Sequence, residues 1–182
     1  MEKIRSFISI DIPKAPAVKT VQKSLRDIGG INVPEDVHLT LRFMDEVEAK
    51  KLKELSECMR ALEKYQCFNV SMKGLGAFPN IKDPRIIWIG AELGEPFKDI
   101  LSELDGILEA SSIFYDNKPF KAHVTVGRVK TASKELTAFL NKEKSTEIES
   151  FTCSKIFLMG SKLTSNGPVH SVIDTFRLSN VK

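Results

Sequence analysis

The sequence predicts a single α+β domain. Three observations predict it: strands and helices follow one another in mixed order through all 182 residues, no stretch has the composition of a flexible linker, and one short motif recurs once in each half. A chain of this length suffices for one ordinary domain, or for two small lobes sharing a core.

Ile4 to Ile12 alternates and is rich in β-branched and aromatic residues, which reads as a strand. Ala15 to Ile28 reads as a helix, because Val18, Val21, Leu25 and Ile28 keep helical spacing and Gly29-Gly30 stops it. Val37 to Phe43 is a second strand. Glu48 to Tyr65 is a long amphipathic helix with Leu52, Leu55, Met59 and Leu62 on one face. Phe68 to Lys73 is a strand, followed by a loop from Gly74 to Asn80, and Arg85 to Ala91 is a strongly apolar strand. Pro96 to Ser111 is a helix, His123 to Val129 a strand, and Ser133 to Asn141 a helix that Ser133 can cap. Phe151 to Gly160 and Val169 to Leu178 form a final strand pair around the turn Ser165-Asn166-Gly167.

Composition removes several functional classes. A hydrophobic fraction of 42% and a charged fraction of 28% are normal for a globular protein and exclude a disordered or fibrous chain. The net charge of +3 does not signal a histone-like binder and leaves room only for a local basic patch. Met1 to Pro13 has no long apolar core and no small-residue cleavage site, so it reads as a strand rather than a signal peptide. No stretch approaches the roughly 18 apolar residues that a membrane helix needs. Cys58, Cys67 and Cys153 are scattered, form no CxxC pair and lie near no histidine, which suggests reduced thiols in a cytosol and no zinc site.

The recurring motif carries the chemistry. It reads His38-Leu39-Thr40-Leu41 in the first half and His123-Val124-Thr125-Val126 in the second, and so uses two of the three histidines in the chain. Side chains alternate along a strand, so each motif sets an imidazole and a hydroxyl on one face and two aliphatic anchors on the other. An imidazole titrates near neutrality, so of two such groups one can hold a proton while the other lacks it. Displacement at a phosphodiester needs that pair: a base for the attacking oxygen and an acid for the leaving oxygen, from opposite sides of phosphorus. The threonine hydroxyls can donate to non-bridging phosphate oxygens. Nothing in the residues themselves decides which histidine is acid and which is base.

Other residues are candidates for holding the substrate. Arg42 shares the His38 face by alternation, whereas Arg128 points away from the His123 face unless Gly127 bends the strand. Phe43, Phe78, Trp88 and Phe120 could stack on a base, although most aromatics are core. Lys118 and Lys121 could form a basic rim, with solvated charge as the default. His170 follows a turn and lacks the threonine, which favours a surface role.

At these motifs the chain resembles the RNA 2′,3′-cyclic phosphodiesterases, also called the 2′-5′ RNA ligase family, of the two-histidine phosphoesterase superfamily. The likeness runs from Arg5-Ser6-Phe7-Ile8-Ser9-Ile10-Asp11 through Val37 to Phe43, Gly74 to Pro79, Pro84 to Trp88 and Pro119 to Arg128, and on to Leu158 to Leu178. The resemblance implies a bilobed α+β fold, in which two antiparallel sheets face a central cleft and helices pack outside. It implies one domain over 1–182 with two pseudo-symmetric lobes. It implies cofactor-free and metal-free hydrolysis of a terminal 2′,3′-cyclic phosphate to a 2′-phosphate. His38 would be the proton donor, His123 the acceptor, and Thr40 and Thr125 the holders of phosphate oxygens. Arg42, Arg128, Phe43 and Phe120 are the expected substrate contacts. The expected partner is RNA with a cyclic end, such as a tRNA fragment, and the expected form is a cytoplasmic monomer away from membranes. The reverse reaction, 2′-5′ joining of tRNA halves, would use the same residues, and a non-catalytic RNA-binding module or a hydrolase of small cyclic nucleotides is the rival reading. Three positions depart from the family: Ala122 where proline often precedes the histidine, Asp45 where glycine is common, and His170 near a usual tyrosine.

Overall fold

A computed structural model describes residues 2–13, 15–165 and 167–180. Asn166 of the expected turn and Met1 of the expected opening segment lie outside the described residues. The elements run β1 (Lys3–Asp11), α1 (Pro16–Ile28), β2 (Ile31–Asn32), β3 (His38–Glu48), α2 (Ala49–Met59), β4 (Phe68–Pro79), β5 (Pro84–Leu93), α3 (Phe97–Ala110), β6 (His123–Val129), α4 (Lys134–Lys142), β7 (Glu147–Cys153), β8 (Lys155–Thr164) and β9 (Gly167–Arg177).

The strands form one path in the order β7-β4-β5-β6-β3-β1-β8-β9, with β2 paired to β6. Every strand pairing in this path is antiparallel. The α+β class therefore holds. The two four-stranded halves are continuous rather than separate, because β3 and β6 meet through the pair Leu39 and Val124.

The helices form because each can bury one apolar stripe. Val18, Val21 and Leu25 of α1, Leu52, Leu55 and Met59 of α2, Phe97, Ile100, Leu104 and Leu108 of α3, and Leu136 and Leu140 of α4 are all buried. They share one core with the inward residues of the sheet, among them Ile8, Ile10, Leu39, Ile87, Ile89, Val124 and Leu158. Each fully buried aliphatic side chain contributes about 1.5–3 kcal/mol relative to exposure. Gly29 ends α1 at φ 79°, a conformation that costs glycine little. The Ser133 hydroxyl accepts from the Leu136 amide at 3.0 Å, as its position before α4 suggests. No helix among the described residues is long and apolar enough to cross a membrane.

Three expectations change, and one short strand, β2, was not expected. The segment Gly74 to Asn80 is not a loop: β4 continues to Pro79, with a register shift between Lys73 and Leu75 at Gly74, where φ is 72°. The long second helix stops at Met59 and gives way to a 3₁₀ turn, Arg60–Lys64. The expected strand Phe151 to Gly160 is the end of β7 and the start of β8, which pair with different neighbours. The short β2 lacks the length needed to show a period.

Candidate active site

The pairing of Leu39 with Val124 places both motifs together. These two residues, with Leu41 and Val126, are buried behind the sheet at 2% exposure or less. One residue out from the central pair, antiparallel register sets His38 across from Thr125 and Thr40 across from His123. All four side chains then share the opposite face from the anchors. The two histidines are diagonal neighbours, a relationship that separates positions by about 7–8 Å. Imidazoles reaching inward from such positions can flank one phosphate.

Each imidazole has its own support. Phe7 of β1 stacks on His38 with ring centroids 4.8 Å apart, and the edge of His170 from β9 meets His38 at 5.1 Å. His170 also meets Phe7 at 5.1 Å, so the three rings form one cluster. Burial is the larger cause that lowers the His38 pKa from 6.5 to about 4; the nearby His170 lowers it further, while Asp36 opposes both. Burial also lowers the pKa of His170, again against Asp36. His170 was expected to serve at the surface. It lies instead against the first motif histidine, and its Nδ1 is buried without a hydrogen-bond partner. Its neighbour in the fold comes from the far end of the chain, so no local spacing could show the contact.

His123 is held differently. Its Nδ1 lies 2.7 Å from the Lys121 carbonyl oxygen. A carbonyl can only accept, so Nδ1 carries the proton and the neutral ring keeps a lone pair on Nε2. The edge of its ring meets Phe78 at 5.2 Å, and Phe78 in turn lies 5.5 Å from Trp88.

Two β-bulges decide which further residues join this face. On β3, Ile8 pairs with Arg42 and Ser9 with Thr40, so Leu41 is the extra residue. On β6, Ile87 pairs with Gly127 and Trp88 with Thr125, so Val126 is the extra residue. An extra residue reverses alternation beyond it. Arg42, expected on the His38 face, is thereby turned to the core side. It is 8% exposed, its Nε and Nη2 donate to Asp105 of α3 at 2.7 and 2.8 Å, and Nη1 donates to the Leu41 carbonyl. It is a structural residue and does not reach the site.

Phe43 takes the place that alternation assigned to Arg42. It pairs with Phe7, and the Arg5 guanidinium lies 4.9 Å from its ring. Gly127 faces the core, where a Cβ would stand 2.9 Å from Ile31, and exposed Arg128 returns to the His123 face. Phe120 packs against Phe97 at 5.3 Å and lies under the Arg42 guanidinium at 5.7 Å, away from the motif face. Lys118 donates to Asp116 at 3.3 Å, whereas the Lys121 ammonium lies over the rings of Trp88 and Phe78 at 4.6 and 5.0 Å. Among the described residues, no group of three or more His, Cys, Asp or Glu side chains is gathered for a metal.

Comparison with known proteins agrees with this architecture. The family described as LigT like phosphoesterase matches residues 10–88. The RNA 2′,3′-cyclic phosphodiesterase of Methanothermobacter thermautotrophicus is 31% identical over 97% of this chain and 100% of its own length. That of Archaeoglobus fulgidus is 33% identical over 95% and 99% of the two chains. A solved protein of Thermus thermophilus superimposes with a TM-score of 0.80 at 26% identity, covering 96% of this chain and 97% of that one.

Proposed function

Since this chain belongs to the LigT-like phosphoesterase family, together with RNA 2′,3′-cyclic phosphodiesterases of matching length, we propose that it hydrolyses the 2′,3′-cyclic phosphate at the end of an RNA to a 2′-phosphate. The observation that supports this most is the union of the two motifs on one sheet face about the Leu39–Val124 pair.

In this reading His123 takes a proton from water through Nε2, the nitrogen left with a lone pair by the Nδ1 bond to Lys121. The water oxygen attacks phosphorus, the bond to the 3′ oxygen breaks, and His38 protonates that oxygen. Thr40 and Thr125 donate to the non-bridging oxygens, and Arg128 supplies positive charge at the rim. His38 is neutral in the free protein at pH 7, because its pKa lies at about 4. The phosphate anion is what restores its proton, since a nearby opposite charge favours the charged form. The two halves of the sheet act as lobes around the phosphate, and neither step needs a metal or a cofactor.

The test is incubation with RNA ending in a 2′,3′-cyclic phosphate, with and without EDTA. A 2′-phosphate should form at equal rates in both. Formation of a 3′-phosphate alone, or loss of activity in EDTA, would sink the reading. Because the same groups serve both directions, joining to a 5′-hydroxyl should occur as the minor outcome.

A further inference from the structure

We propose that the RNA chain upstream of the cyclic end leaves the site across β5 and lies in a lysine-lined cavity beside the second motif, so that this enzyme acts on oligonucleotide ends rather than on single nucleotides. This rests on the reading of the chain as an RNA-end hydrolase. The cavity has a volume of about 630 Å³ and is lined by Lys73, Lys98, Lys121 and Lys144 together with Trp88 and Phe120.

Register ties the cavity to the reaction centre. His123 pairs with Gly90, and Gly90 with Lys73, so the three form one row on the same sheet face. Strands are about 4.8 Å apart, which puts Lys73 about 10 Å from His123 along that row. Gly90 between them is where the Trp88 ring and the Lys73 carbonyl close in, a Cβ there standing 3.5 and 2.8 Å from them, so the row runs over the Trp88 ring. Lys121 joins the two regions through its own atoms: its carbonyl oxygen meets His123 Nδ1, and its ammonium lies 4.6 Å from the ring of Trp88, which lines the cavity.

The lining has the chemistry of a single-stranded nucleic-acid track, which combines cations for the backbone with aromatic faces for bases. Among the described residues no carboxylate pairs with Lys98, Lys121 or Lys144, and the pairing of Lys73 with Glu147 is long, at 3.9 Å. Glu92 is the one acidic residue of the lining. Trp88 stands at the wall with its Nε1 buried and without a hydrogen-bond partner. Four cations around aromatic walls, continuous with a phosphate-cleaving site, fit the next phosphates and bases of an RNA.

Kinetics with two substrates test this. The cyclic mononucleotide is compared with an oligoribonucleotide ending in the same cyclic nucleotide, for wild type and for the double variant Lys98→Glu/Lys144→Glu. Both lysines are exposed, so the variant should fold. Wild type should prefer the oligonucleotide, and the variant should lower the ratio of the two kcat/KM values by at least about tenfold. For neutral Lys98→Ala and Lys144→Ala, the salt dependence of oligonucleotide binding should flatten by about 0.7 in log–log slope for each lysine. Equal use of both substrates by wild type, or a ratio unmoved in the variant, would overturn the proposal.

Fluorescence anisotropy with a 2′-phosphorylated oligoribonucleotide reads the cavity without turnover. Lysine-dependent binding with no hydrolysis of either substrate would sink the functional reading and support the cavity. Hydrolysis of both substrates with lysine-independent binding would do the reverse, and equal binding of a poly-glutamate peptide would overturn the cavity as a nucleic-acid track.

Discussion

The edge of the His170 ring meets the His38 ring at 5.1 Å, with the two planes 87° apart. The imidazole of the first motif therefore rests on a third imidazole contributed by the last strand. Burial disfavours charge on both rings, and at His38 repulsion from His170 adds to it. Replacement of His170 by Phe keeps an aromatic edge and removes the repulsion. The groups left facing His38 are then Phe7 and Asp36, and the His38 pKa should rise from about 4. An NMR titration of His38 should show the rise, and the basic limb of kcat/KM should move to higher pH with little change in kcat. In wild type that limb should lie below the basic limb of kcat, since bound phosphate protonates His38. Coincident limbs would remove His38 as donor.

Removing either motif histidine should be severe. His38→Ala and His123→Ala should each lower turnover by about two to four orders of magnitude, the range for a general acid or base. The double variant should fall by much less than the product, because the pair acts as a unit. Single-turnover rates on cyclic-ended RNA measure all three, and fully multiplicative losses would contradict concerted action.

Arg42 and Arg128 should separate cleanly. Arg42→Ala leaves Asp105 without the cation that accounts for both its bonds, at a cost of about 2–4 kcal/mol in stability. Its KM should stay near the wild-type value. Arg128→Ala lies on an exposed rim, so its stability should change by under about 0.5 kcal/mol while KM for RNA rises. Denaturant unfolding and initial rates distinguish them. A raised KM in stable Arg42→Ala would return Arg42 to the site.

Stability should fall with acid through a defined window. The His38 pKa is lowered from 6.5 to about 4 on folding, so the unfolded chain binds the proton more tightly. Stability is full above about pH 6.5 and is lost as pH falls towards 4, by an amount on the order of 3 kcal/mol. His170 adds in the same direction. Urea midpoints between pH 7 and 4 should show this slope, and it should be shallower in His38→Phe. An equal slope in that variant would assign the loss to other groups.

Much of the candidate site was legible in the local pattern. Two His-x-Thr-x strands, with aliphatic anchors two apart, follow from alternation alone, and the strand His123 to Val129 has those bounds in the structure. The apolar stripes of α1, α2, α3 and α4 were legible for the same reason: burial selects residues at the helical period. Arg42 and Phe43 were exchanged because a bulge at Leu41 reverses alternation, and a bulge depends on how β3 pairs with β1. Tertiary structure alone decided that His170 supports His38, that Asp105 takes Arg42, and that Lys121 anchors His123 while reaching over Trp88. Those relationships join positions up to 132 residues apart along the chain, and periodicity, which reports only a side chain's relation to its own strand or helix, carries no record of which distant strand will lie beside it.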